Sequence, residues 1–206
     1  MMEVIEVTPY KKRCKVKFSN HTEILLSYKE LKKNHCEQGN ILEEEQWNCL
    51  IVHLIGRAKE RALYLLDRSE QTEKQIRDKL IAGYYPAIVI DSVIDYLKEY
   101  RMIDDFRYAC HYIEFKRNKK SKRQIHQNLF LKGISKETME QAFEESDFSN
   151  EDSLRLLIEK RSSRYDLNDR NDKKKLYQYL LGKGYSYSEV EQAIRTLENG
   201  DFFDEE

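Results

Sequence analysis

The apolar residues of the chain change their period near residue 40. Before it, "MEVIEVTPY", "CKVKFSN" and "TEILLS" alternate apolar with polar positions and are rich in β-branched residues, and Ser19-Asn20-His21 is turn-like. This predicts two or three antiparallel strands, a sheet too small to stand without a helix over one face. A suitable helix follows: Trp47, Leu50, Ile51, Leu54, Ala58, Ala62 and Leu65 recur at three- and four-residue steps and form one stripe. Asn40 with Glu43 reads as its N-cap and N3 pair. Arg57, Lys59, Glu60 and Arg61 fall on the outer face, and Gly56 marks a place for a bend or break.

From there the pattern repeats. "TEKQIRDKLIAGYYP" (72–86), "SKRQIHQNLFLKGIS" (121–135) and "DKKKLYQYLLGKGYS" (172–186) align on Ile76, Ile125 and Leu176. Four residues earlier stand Thr72, Ser121 and Asp172, all suited to cap a helix. Gln75 and Gln124 complete capping boxes in the first two, and Lys175 leaves the third incomplete. Four residues after the anchor stand Leu80, Leu129 and Leu180, then Gly83, Gly133 and Gly184, fitted to a left-handed helix end. Gly83 comes one residue early, which reads as a helix shortened by one and a loop lengthened by one. Each segment is followed by an apolar triad at fixed spacing: Ile90, Val93, Ile94; Met139, Ala142, Phe143; Val190, Ala193, Ile194. Each is preceded by a further helix, at 58–67, 106–117 and 151–161. Asp104 or Asp105 is placed to cap the second of these, and Ser149 or Asn150 the third.

The expected fold is therefore mainly α: three tandem three-helix repeats in an elongated or curved array, with a small β-rich N-terminal extension. The expected divisions are 1–40 (extension), 41–105 (linking helix and first repeat), 106–148 (second repeat), 149–199 (third repeat) and 200–206 (acidic tail). Helices this short are unstable alone, so each repeat must bury its stripe internally and against a neighbour. The tail, "ENGDFFDEE", reads as frayed.

Composition narrows the function. Charged residues make up 35% of the 206, yet the formal net charge is −1, which argues against a uniformly basic nucleic-acid binder but not against local patches. Cys14, Cys36, Cys49 and Cys110 form no CxxC pair, fitting a reducing compartment. There is no secretory pattern at the start, and "CLIVHLIG" falls far short of the roughly 20 apolar residues that span a membrane. A cytoplasmic monomer is expected. No phosphate-binding glycine loop, dinucleotide motif or HExxH is present. The histidines 21, 35, 53, 111 and 126 show no ligand spacing, so no cofactor, metal or catalytic residue is assigned.

One stretch is unusual. Lys116, Arg117, Lys119, Lys120, Lys122 and Arg123 put six cations into eight positions with no acid between them. Exposed helices generally mix signs. Acids from another repeat could neutralise the run; otherwise it awaits a polyanion, either DNA phosphates or an acidic partner face. Arg170, Lys173, Lys174 and Lys175 form a second cluster in the third repeat, whereas the first repeat has only Lys74 beside Glu70 and Glu73. Tyr84, Tyr85, Tyr185 and Tyr187 lie in turns, where aromatics either close the helix end or stack on bases.

Two segments carry a family resemblance. "MIDDFRYACHYIEFKRNKKSKRQIHQNLFLKGIS" is similar to the junction of the first and second repeats of the RecX family, the regulators of the bacterial RecA recombinase. There an acidic pair (Asp104, Asp105) precedes an aromatic-Ala step (Tyr108-Ala109) and a basic loop. "KKKLYQYLLGKGYSYSEVEQAI" resembles the family's C-terminal repeat, and the likeness covers residues 56–198. The β-rich start looks like the extension of longer members. The early Gly83 and the long "SSRYDLNDRND" loop depart from the family pattern. The resemblance implies a protein without a catalytic site that lies in the groove of the RecA–single-stranded DNA filament and dampens ATPase and strand exchange. The alternative is a helical-repeat protein that acts on DNA directly.

Overall fold

The computed structural model describes residues 1–162, 164, 165 and 169–198. The proposed tail at 200–206, and part of the loop before residue 169, lie outside them. The chain divides into two compact units, Met1–Asp104 and a second that begins at Asp105.

In the first unit, β1 (Met2–Tyr10), β2 (Arg13–Phe18) and β3 (Glu23–Leu26) are the three expected strands. They belong to an antiparallel sheet of order β3-β2-β1-β4. The fourth strand was not foreseen. β4 is only Ile41–Leu42, paired with Met2 and Glu3, too short to show a period. It displaces the expected cap: the long helix α2 runs from Glu44 to Arg68, and Glu43, boxed with Gln46, replaces Asn40 as its N-cap. The Asn40 carbonyl accepts from the Val4 N–H instead (2.8 Å). The short helix α1 (Tyr28–Lys33) was also missed, although Ser27 and Glu30 form a complete capping box.

Alternation puts Val4, Cys14, Val16, Phe18, Ile24 and Leu26 on the inner face, all buried. Helix α2 covers them with Leu50, Ile51 and Leu54, and Trp47 meets Phe18 edge-on at 5.0 Å. α2 passes through Gly56 unbroken, so it serves both as lid for the sheet and as first helix of the first repeat. Arg57 does not point away as expected: its guanidinium reaches the Leu25 carbonyl (3.2 Å) and Glu30 (3.0 Å). Burial alone would raise the Glu30 carboxyl; hydrogen bonds from His53 and Ser27 and the Arg57 charge outweigh it and hold the pKa at about 2. The apolar face of α3 (Glu73–Ile81) and α4 (Ala87–Glu99) joins the same core through Ile76, Leu80, Val89, Ile90, Val93 and Ile94.

The second unit holds α5 (Asp105–Lys116), α6 (Lys122–Leu131), α7 (Lys136–Glu145), α8 (Asn150–Ser162), α9 (Arg170–Gly182) and α10 (Tyr187–Glu198). They build two separate cores. One contains Ala109, Ile113, Ile125, Leu129, Met139, Ala142 and Phe143, the other Leu154, Ile158, Leu176, Leu180, Val190 and Ile194. These are the anchors and triads of the repeat pattern, so the second and third repeats each close on their own stripe.

The helix ends correct one expectation. In all three repeats an N–H donates to the carbonyl of the aligned leucine: Tyr85 to Leu80, Ile134 to Leu129 and Tyr185 to Leu180. The left-handed residue just before that donor is Tyr84 (φ 58°), Gly133 (φ 87°) or Gly184 (φ 89°). The first helix is shortened by one residue and its loop lengthened by one, as expected: α3 has 9 residues and α6 has 10, and the loop runs over 82–86 rather than the equivalent of 132–135. The left-handed position nevertheless keeps the common register, so a tyrosine occupies it and glycine sits one place earlier. Gly83 is held there by the Tyr85 ring, whose Cε2 would lie 3.0 Å from an added Cβ. The third N-cap also shifts: Asp169 accepts from the Asn171 and Asp172 N–H groups (both 2.9 Å), so α9 starts a turn before the expected Asp172.

Candidate polyanion-binding face

The basic run occupies the end of α5, the loop 117–121 and the first turn of α6. Its shape is set by the third repeat. Ser153 of α8 is 2% exposed. Its hydroxyl bonds the Arg117 carbonyl, the Lys120 carbonyl (3.3 Å) and the Tyr185 hydroxyl (2.8 Å). The Lys122 N–H donates to Asn150 Oδ1 (2.9 Å), and Asn150 Nδ2 in turn bonds Glu189. The Ser121 N–H donates to the Lys183 carbonyl (3.3 Å) in the turn after α9.

This last bond explains why the second capping box is incomplete. The Ser121 hydroxyl caps the Gln124 N–H as expected, but the Ser121 N–H is taken, and Gln124 Oε1 is left buried without a partner among the described residues. Gly184 is required twice, for its φ and because a Cβ there would come within 2.6 Å of Ser121 Oγ. Burial raises the Tyr185 hydroxyl pKa to about 12, so it stays protonated in this network.

The loop's backbone is thus tied down, with Lys119, Lys122 and Arg123 exposed and Lys116, Arg117 and Lys120 half-buried. Arg117 pairs with Glu114 of α5 (2.9 Å). Among the described residues, Lys116, Lys119, Lys120, Lys122 and Arg123 make no ion pair. Burial lowers the Lys116 pKa, and the neighbouring charges of Lys119, Lys120 and Lys132 lower it further. The first turn of α6 carries Lys122 and Arg123 and no acid, opposing the helix dipole at about 0.3–1 kcal/mol per charge. In the first repeat that turn holds Glu73, which bonds Arg77 (2.7 Å) and Lys98 (2.6 Å).

Aromatic rings that the sequence reading had not assigned to the site lie among these cations. Phe115 is 63% exposed, with Lys116 and Lys119 over its ring at 4.4 and 4.1 Å. Tyr108 and Tyr112 stack at 6.3 Å, with Lys132 near both. Tyr108, Tyr112 and Phe115 recur at helical spacing along α5, a signal that was present in the sequence beside the basic run.

The third-repeat cluster is built differently. Arg170, Lys174 and Lys175 are exposed and Lys173 half-buried, and Lys175 pairs with Asp172 at 2.9 Å. Because α9 starts at Arg170, these cations lie within its first two turns rather than on a preceding loop. Hydrogen bonds from Asn150, Ser153 and Lys183 tie the third repeat to the basic run. Of the turn tyrosines, Tyr185 packs inside, Tyr85 lies against the first core, and Tyr187 is 60% exposed beside Tyr177. No helix of the described residues is long and apolar enough to cross a membrane.

Comparison with known proteins matches the chain in three consecutive pieces: the RecX first three-helix domain to residues 58–97, the second to 104–142 and the third to 150–194. The regulatory protein RecX of Clostridium botulinum (strain Alaska E43 / Type E3) is 32% identical over 154 residues, 73% of each chain. That of Clostridioides difficile (strain 630) is 31% identical over 175 residues, 82% of this chain and 81% of its own. The crystal structure of RecX from Lactobacillus salivarius superposes with a TM-score of 0.61 at 29% identity, covering 71% of this chain and 98% of that one. A further crystal structure of regulatory protein RecX, 22% identical, shares the fold over 95% of this chain with a TM-score of 0.60.

Proposed function

The chain belongs to the RecX family, and from that premise we propose that it is a non-enzymatic regulator that docks in the groove of the RecA–single-stranded DNA filament and slows ATP hydrolysis and strand exchange. The observation that supports this reading best is the basic run at 116–123. Five of its six cations lack an ion pair among the described residues, and its backbone is held in place by the third repeat. A charged loop that is ordered before binding loses little entropy on docking, and a partner of opposite sign would offset the repulsion recorded at Lys116. The chain would act by holding neighbouring filament subunits in one arrangement, an effect that needs contact area and charge placement rather than a reactive group.

Phe115, Tyr112 and Tyr108 among the cations favour a second reading, direct binding to single-stranded DNA. Salt titration on bare and RecA-coated oligonucleotides separates the two. Six neutralised phosphates give a log–log slope of roughly −4 to −5. Filament docking predicts tighter binding to the coated strand. Tight binding to the bare strand with that slope, unchanged by RecA, would establish direct DNA binding instead.

A further inference from the structure

The first unit carries a second cationic feature. The β1–β2 hairpin turns at Lys11 and Lys12 between the paired Tyr10 and Arg13. Lys11, Lys12 and Arg13 are exposed and make no ion pair among the described residues. Some cations of this unit do pair with acids, among them Lys15 with Glu23 on the neighbouring strand; the three at the tip are set apart by being consecutive and exposed. Lys11 has φ 53°, a conformation that hairpin turns ordinarily give to glycine or asparagine. A cation therefore stands where an uncharged small residue would relieve strain.

The tip is also braced by a residue more than seventy positions along the chain. Tyr84, the tyrosine in the left-handed position after α3, meets Tyr10 edge-on (5.8 Å, 63°). Lys15 lies over the Tyr84 ring and Lys11 over the Tyr10 ring, both at 5.7 Å. With their faces occupied in this way, the two rings fix the tip and leave the cations to make the contact.

We propose that this hairpin tip is a second, sequence-independent binding point for the phosphates of single-stranded nucleic acid. The tip offers three successive cations and little apolar surface beyond Tyr10, which is 37% exposed. Protein interfaces draw on apolar and aromatic cores and are depleted in lysine, whereas phosphate contacts need neither a core nor a pocket. Three successive cations at a tight turn can be wrapped by a flexible strand, whereas the stiff backbone of a duplex would touch them at fewer points.

The test uses the full chain and a fluorescein-labelled oligo-dT, with anisotropy followed across salt. Replacing the three cations (K11Q, K12Q, R13Q) is expected to weaken binding and reduce the steepness of the log–log slope by about 2, from roughly 0.7 per phosphate contact on single strands. The same reduction is expected in a K119E/K120E/R123E background, which separates this proposal from the filament reading. An unchanged slope with intact folding overturns it. So does a loss seen on duplex DNA or on polyglutamate but not on oligo-dT, the latter marking an acidic protein as the partner. If the triple variant shifts the melting curve, the pair K12Q/R13Q, which leaves Lys11 over Tyr10, is read against an expected reduction of about 1.4.

Discussion

Replacing Ser153 with alanine removes one buried hydroxyl and disturbs three partners at once. In the folded chain that hydroxyl serves the Arg117 and Lys120 carbonyls and the Tyr185 hydroxyl. Its loss forfeits a hydrogen bond with a net value of about 0.5–1.5 kcal/mol and leaves a buried partner unsatisfied at about 1–3 kcal/mol, so a total of about 2–3 kcal/mol is reasonable. The effect is local, because the junction joins two repeats that each have their own core, and local opening is read by amide exchange. The N–H groups of Ser121 and Lys122, which bond Lys183 and Asn150 across the junction, should exchange about 30- to 150-fold faster at about 1.4 kcal/mol per tenfold. Tyr185→Phe removes the hydroxyl that Ser153→Ala would orphan. The double variant should therefore fall short of the combined single effects by about 1 kcal/mol. Unaltered exchange at Ser121 and Lys122 in Ser153→Ala, or single effects that simply add, would refute the idea that this network sets the shape of the basic loop.

Three further outcomes follow from the same geometry. Gly184→Ala must force both a left-handed backbone and a 2.6 Å approach to Ser121 Oγ, so it should destabilise the third repeat by about 2–4 kcal/mol, seen as faster exchange across α9 and α10. Leu129→Asp places a charge in the second core, where Leu129 is wholly buried, at a cost of several kcal/mol; loss of exchange protection through α5–α7 with the first unit intact is expected. Glu30 has its pKa lowered from 4.5 to about 2, so its stabilisation is present above pH 4.5 and is lost as pH falls toward 2. That amounts to about 2–3 kcal/mol, followed in urea by the fluorescence of Trp47, the single tryptophan. Glu30→Gln should flatten the acid dependence in that window.

The repeats were legible because each is specified locally. Thr72 and Ser121 cap where the sequence places them, and the anchors and triads are buried as their periods require, apart from the half-buried Ala193. What escaped was decided by distant partners. β4 is two residues long and exists only because Met2 and Glu3 pair with it. Gln124 matched a capping box, yet Lys183, some sixty positions away, takes the N–H it needed. Gly83 looked like a helix terminator because glycine is the usual left-handed residue; the register of the Leu80 carbonyl gives that role to Tyr84 instead. The basic run was visible as a run, but which of its cations meet an acid was not; among the described residues Arg117 pairs with Glu114. Of its aromatic companions, Tyr112 fits an ordinary helix stripe with Ala109 and Ile113, whereas Tyr108 and Phe115 gave no signal of their own in the sequence beyond their spacing.

The central claim is that the basic run of the second repeat regulates a RecA filament through charge. ATP hydrolysis by RecA on single-stranded DNA, titrated with the wild-type chain and with K119E/K120E/R123E, tests it most directly. The account predicts that hydrolysis falls as wild type is added and stays at its starting rate with the variant, whose circular dichroism matches wild type. Equal inhibition by both proteins, or no inhibition by the wild-type chain at stoichiometric ratio, would contradict it.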